Sequence, residues 1–114
     1  MAGFNTTAFL ALHGQAQTDP LVAKGVAYLR KTLGLTRVGA TGYCFGGKYS
    51  FRAVGPQGGA DVAFAAHPSL LEDAEISAVK GAVGVAAAGE CCLRAVPTCL
   101  TTPRREGVTL ALGR

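Results

Sequence analysis

The 114-residue chain reads as an α/β domain: a parallel sheet of about three strands with flanking helices on both faces, in three layers. Three observations predict this. Helix and strand candidates alternate from residue 20 to residue 88. The strand candidates are apolar runs without in-and-out alternation, as expected of strands covered on both sides. The chain also holds 20 Ala and 16 Gly, small residues that let helices lie closely on a sheet.

The first clear element is a helix over 20–33, with Asp19 as N-cap, Pro20 in the first helical position and Gly34 as the stop. Leu21, Val22, Val26, Leu29 and Leu33 share one of its faces. A short strand follows within Thr36–Tyr43, then a helix from Gly46 to about Val54, ended by Gly55-Pro56 and the Gly58-Gly59 turn. Asp61–Ala66 is a buried strand stopped by His67-Pro68, and Leu70–Val79 holds a short helix. Ala82–Ala88 is the third strand. Ala8–Leu12 fits helix or strand equally, and Val108–Leu112 fits a short edge strand. Organisation otherwise dissolves after Gly89, which divides the chain into a domain over 1–89 and a divergent, basic, poorly ordered tail over 90–114.

Charge divides at nearly the same point. Residues 1–90 carry seven Lys/Arg and six Asp/Glu; residues 91–114 carry four Arg and one Glu. The net charge of +4 therefore reflects a solvated tail without interleaved aromatic residues, and no nucleic-acid partner is expected. No stretch nears the roughly 18 apolar residues of a membrane span, so no membrane partner is expected either. The first residues lack the basic and apolar regions of a secretory signal, which makes the cytoplasm the expected location and free thiols the expected state of the four cysteines. Cys91, Cys92 and Cys99 lack the spacing of a zinc site. No metal and no organic cofactor is expected.

Parallel strands bring their carboxyl ends to one edge, where ligands bind. Cys44, His67 and Glu90, each just beyond a predicted strand, should gather there. The segment Gly42-Tyr43-Cys44-Phe45-Gly46 follows the G-x-nucleophile-x-G pattern between a strand and a helix, with Cys in place of the usual Ser. A turn so sharp strains the nucleophile, and side chains at Gly42 and Gly46 should clash. The following helix aims its N–H groups and positive dipole end at the sulfur. The Phe45 N–H is the expected oxyanion donor.

Two other readings compete for these residues. Gly42-x-x-x-x-Gly47-Lys48 has the spacing of a nucleotide phosphate-binding loop, although Tyr49 stands where a magnesium-holding Ser or Thr belongs. A glycine-rich turn around an inert Cys is the purely structural alternative.

Val38-Gly39-Ala40-Thr41-Gly42-Tyr43-Cys44-Phe45-Gly46-Gly47-Lys48-Tyr49 resembles the nucleophile segment of the dienelactone hydrolase family, fungal branch. Leu12-His13-Gly14, Thr18–Val22, Ala65–Ser69 and Lys80–Ala88 extend the likeness over about residues 8–89. The resemblance implies part of an α/β-hydrolase fold and a Cys–His–Asp hydrolase acting on a small-molecule ester or lactone. Carried over, Cys44 is the nucleophile and the Phe45 N–H the oxyanion donor. The family's triad Asp should stand soon after the strand matching Ala82–Ala88, where this sequence reads Gly89-Glu90-Cys91-Cys92, and its catalytic His belongs to a later His-Gly-Phe segment that this sequence does not contain. His67, in the family a residue of a His-Pro-Ser turn, is the local surrogate for the base, with Glu90 to orient it. The expectation is a truncated chain, altered near Gly89 by a frame or splice change, with weak activity or none. A non-catalytic remnant that self-associates through exposed sheet edges is the other expected outcome.

Overall fold

The structure is a computed structural model that describes residues 3–87 and the strand Val108–Leu112. Eight elements follow in order: α1 (Thr6–Leu12), α2 (Gln15–Lys31), β1 (Gly39–Tyr43), α3 (Phe45–Ala53), β2 (Val62–Ala66), α4 (Asp73–Ser77), β3 (Ala82–Ala87) and β4 (Val108–Leu112). All strands pair in parallel in the order β1-β2-β3-β4, with Tyr43 opposite Ala66 and Ala66 opposite Ala86. The three expected strands and the edge strand are all present. Most of the predicted tail lies outside the described residues, as does the divide placed at residue 89.

The ambiguous stretch Ala8–Leu12 is helical because Asn5 caps it, its side-chain oxygen accepting from the Ala8 N–H at 3.0 Å. The next helix begins five residues earlier than its Asp19-Pro20 signal suggests. Gly14 occupies the N-cap, its carbonyl accepts the Thr18 N–H at 3.0 Å, and the Thr18 hydroxyl donates to the His13 carbonyl at 3.1 Å. Pro20 thus sits inside the helix, and Asp19 pairs with Arg52 instead of capping. The other end follows expectation: Gly34 adopts φ +68°, which returns the Leu35 N–H to the Leu29 carbonyl at 3.1 Å. Of the predicted apolar face only Val26 is buried; Leu21 and Leu33 are exposed.

The core joins Phe51 and Val54 of the α3 region, Ala63 and Ala65 of β2, Ile76 of α4, and Val83 and Val85 of β3. α3 and α4 therefore cover one face of the sheet, while α2 packs against α3. The opposite face behaves otherwise. Val62 is 49% exposed and Phe64 43%, and Gly39, Thr41 and Tyr43 beside them are exposed as well. The expected parallel sheet with flanking helices is present, and this face is left open among the described residues. Runs of Ala and Gly are apolar on both sides without carrying enough area to require cover on both, so absence of alternation overstates burial here.

Polar ties fix the sheet to its helices. The Val38 N–H donates to Asp61 Oδ2 at 2.7 Å, and Arg30 Nη2 meets the same oxygen at 2.8 Å. These two contacts, the backbone one first, hold the Asp61 carboxyl below its usual value. Arg30 also donates to the Gly59 and Thr36 carbonyls, joining the end of α2 to the loops before β1 and β2.

Candidate active site

Cys44 stands between β1 and α3 with φ 50° and ψ −117°, a conformation that costs a non-glycine residue about 1–3 kcal/mol. Its surroundings hold it there. The Cys44 N–H extends the ladder to the Ala66 carbonyl at 3.1 Å, and its own carbonyl accepts the N–H groups of Gly47 and Ser69, each at 3.0 Å. The result is a free, exposed thiol at the carboxyl edge of the sheet. Phe45 begins α3, so its N–H belongs to the first turn, where donors have no partner within the helix.

The glycines of this turn divide their work differently from the motif expectation. A side chain at Gly42 would fall on the Gly46 carbonyl and Ser50 Oγ, so the strand can meet the helix only because Gly42 has none. Gly46 itself faces open space, which corrects its expected clash; its part is to bring its backbone against Gly42. The second crowded position is Gly47, where an added carbon would lie 2.9 Å from Pro68.

Pro68 belongs to a turn, His67–Leu70, that walls one side of the strand-to-helix turn at Cys44. Both end residues have positive φ, 36° at His67 and 56° at Leu70. The His67 N–H donates to the Ala86 carbonyl at 2.7 Å, and Lys48 Nζ donates to the Leu70 carbonyl at 2.8 Å. Sheet register sets His67 next to Cys44, but the exposed imidazole faces the Tyr43 ring, centroids 6.2 Å apart. No hydrogen bond joins His67 to Cys44 among the described residues. The side chain that meets the sulfur is Ser69: the thiol donates to its Oγ at 3.5 Å. Sequence reasoning passed over Ser69, although a hydroxyl three residues past the end of β2, the strand beside the one that leads into Cys44, was the available signal. Glu90, Cys91, Cys92 and Cys99 lie outside the described residues. Among those described, no three His, Cys, Asp or Glu groups cluster as metal ligands, and no helix is long and apolar enough to cross a membrane.

Lys48 contradicts the phosphate-loop reading. It is 7% exposed and its ammonium is held by the Leu70 carbonyl, by Glu72 at 3.0 Å and by Glu75 at 3.4 Å. A loop lysine must reach the phosphates; this one is buried and already paired with two glutamates. Glu75 also takes Arg52 at 2.8 Å, and Arg52 in turn grips Asp19. The bond to Asp19 above all pushes the Arg52 guanidinium higher than usual, burial opposing it and Glu75 adding to it. A cavity of about 300 Å³ opens along this network, with Gln15, Asp19, Arg52 and Glu75 in its walls and Cys44 outside it.

Comparison with known proteins converges on one family. The sequence profile of the dienelactone hydrolase family matches residues 6–90. Hydrolase pyvD of Aspergillus violaceofuscus is 39% identical over 87 residues, which is 76% of this chain and 35% of that protein. Hydrolase tropI of Talaromyces stipitatus is 38% identical over 78 residues, 68% of this chain and 30% of that protein. The chain thus spans about a third of the length of these curated relatives. No solved structure matches it.

Proposed function

The chain belongs to the dienelactone hydrolase family, and from that premise we propose that it is a hydrolase-type acyl acceptor for small carboxylic esters or lactones, with Cys44 as nucleophile. The observation that carries this reading is the strained, exposed Cys44 at the strand-to-helix turn on the carboxyl edge of a parallel sheet. In the proposed reaction the sulfur attacks the ester carbonyl carbon, and the carbonyl electrons move to oxygen. The Phe45 N–H donates to that oxyanion. Collapse expels the alkoxide, which takes up by way of solvent the proton that the Cys44 thiol gave up, and leaves a thioester on Cys44; water then attacks the thioester, releasing the acid and restoring the thiol.

Release is the slow half in this proposal. The sequence has no Asp after Asp73, and its two histidines are His13 and His67. His13 is turned to its own helix, Nδ1 lying 2.8 Å from the Phe9 carbonyl. His67 stays a surrogate base only if its ring leaves Tyr43. Acylation should therefore outrun hydrolysis, giving weak turnover. Mixing the protein with p-nitrophenyl acetate should release up to one equivalent of nitrophenolate and leave an acetyl group on Cys44, seen by peptide mass spectrometry. Cys44→Ala should lose both. An unmodified wild-type Cys44, or nitrophenolate release unchanged in Cys44→Ala, overturns the assignment.

A second reading rests on a separate observation. β1 has a strand neighbour on one side only among the described residues, and Val62 and Phe64 stand exposed on the adjoining face. Such an edge pairs readily with another, so a self-associating, non-catalytic role is the alternative. Sedimentation should then show concentration-dependent dimers or larger species. A monomer across the whole accessible concentration range removes this reading.

A further inference from the structure

We propose that Ser69 is a positioning residue for the Cys44 sulfur, switching from acceptor to donor as the thiol becomes a thiolate; this rests on the assignment of Cys44 as nucleophile. Three independent contacts fix the turn that carries the hydroxyl. The Ser69 N–H is tied to the Cys44 carbonyl at 3.0 Å. Pro68 before it is wedged against Gly47, where no side chain fits, and the Leu70 carbonyl after it is held by buried Lys48. The turn keeps two non-glycine residues at positive φ, His67 and Leu70. Strain of this kind persists only where the surroundings over-determine it.

Within that frame the Sγ–Oγ separation is 3.5 Å, a hydrogen-bonding distance for sulfur. A thiol donates to Ser69 Oγ. A thiolate has no proton to give, so the same hydroxyl rotates and donates to sulfur, because a hydroxyl serves in either role. No backbone movement is needed. The interaction becomes charge-assisted at the moment the nucleophile forms, and bonds to charged groups are the stronger class. Ser69 thereby holds the sulfur at the elbow on the β2 side, beside the first N–H groups of α3.

Alkylation of Cys44 by iodoacetamide tests this without any hydrolysis, followed at neutral pH by mass spectrometry of the Cys44 peptide so that the other cysteines do not interfere. A lost charge-assisted bond removes stabilisation from the attacking sulfur, an effect only partly offset by the greater nucleophilicity of a less stabilised sulfur. Ser69→Ala should thus alkylate about threefold more slowly than wild type, and Ser69→Thr, which keeps a hydroxyl, should restore the rate. Thermal unfolding monitored by circular dichroism accompanies both. A wild-type rate in Ser69→Ala overturns the proposal. So does any result in which Ser69→Thr tracks Ser69→Ala, since the hydroxyl is then not responsible. Cys44 acetylation by the activated ester is scored separately, so failure of the nucleophile assignment and failure of the Ser69 role give different patterns.

Discussion

Gly42→Ala should unfold this protein or cost it more than about 3 kcal/mol, whereas Gly46→Ala, four residues on in the same motif, should be neutral or gain up to about 1 kcal/mol. The contrast follows from geometry. At Gly42 an added methyl group falls on the Gly46 carbonyl and Ser50 Oγ. Ser50 could rotate away, but the carbonyl is backbone in the first turn of α3 and cannot. Gly42 is fixed on its other side by pairing with Ala65 in β2. Relief therefore requires the helix to rise off the sheet, which opens the core where Phe51 meets Ala63, Ala65 and Val85. At Gly46 the same methyl meets nothing within 4 Å, and alanine favours the helix. Urea unfolding followed by circular dichroism measures both. Equal destabilisation by the two substitutions would contradict this division of labour. If Gly46→Ala folds, its Cys44 should still react with iodoacetamide, because neither the strained φ nor the Ser69 contact depends on Gly46 lacking a side chain.

The strand-to-helix turn at Cys44 was legible in the sequence because its signal is local. Gly42-Tyr43-Cys44-Phe45-Gly46 names the strand end, the turn residue Cys44 and the helix start within five residues. The parallel order of β1, β2 and β3 was legible too, since short apolar runs separated by helices allow few other arrangements. What escaped depends on atoms far apart in the chain. Which motif glycine is crowded is decided by the angle between β1 and α3, and Gly47 matters because of Pro68, twenty-one residues away. Ser69 reaches Cys44 only because parallel register aligns two strand ends. Asp19-Pro20 has the chemistry of a helix start, yet Gly14 supplies an earlier cap and Arg52 claims the Asp19 carboxylate. Lys48 completes a phosphate-loop spacing in sequence, and only the placement of α4 shows that two glutamates already hold it.

Those glutamates carry the other large effect. Glu75→Ala should cost about 3–5 kcal/mol, the range for removing one partner from a buried ion pair. Glu75 is 6% exposed and serves four donors: Arg52 at 2.8 Å, Lys48 at 3.4 Å, the Gln15 amide at 3.3 Å and the Glu72 N–H at 2.9 Å. The last bond closes a capping box on α4, a helix of only five residues with little else to keep it wound. Truncation leaves the buried Lys48 with Glu72 and the Leu70 carbonyl, and leaves Arg52 with Asp19 alone. Stripping charge from Asp19 should cost less than this, because Asp19 and Arg52 keep about a quarter of their side chains in water. Glu75→Gln separates the two parts of the loss. Its amide oxygen can still accept the Glu72 N–H, but it brings no negative charge to two cations, so it should fall between wild type and Glu75→Ala. Native domains are stable by only about 5–15 kcal/mol, so the alanine variant should lie near the unfolding threshold at room temperature. The measurement is a urea midpoint that falls without a change in slope. A loss under about 1 kcal/mol would mean that the network binding α2, α3 and α4 is replaceable by water, and with it the support that holds Lys48 on the Leu70 carbonyl behind Ser69.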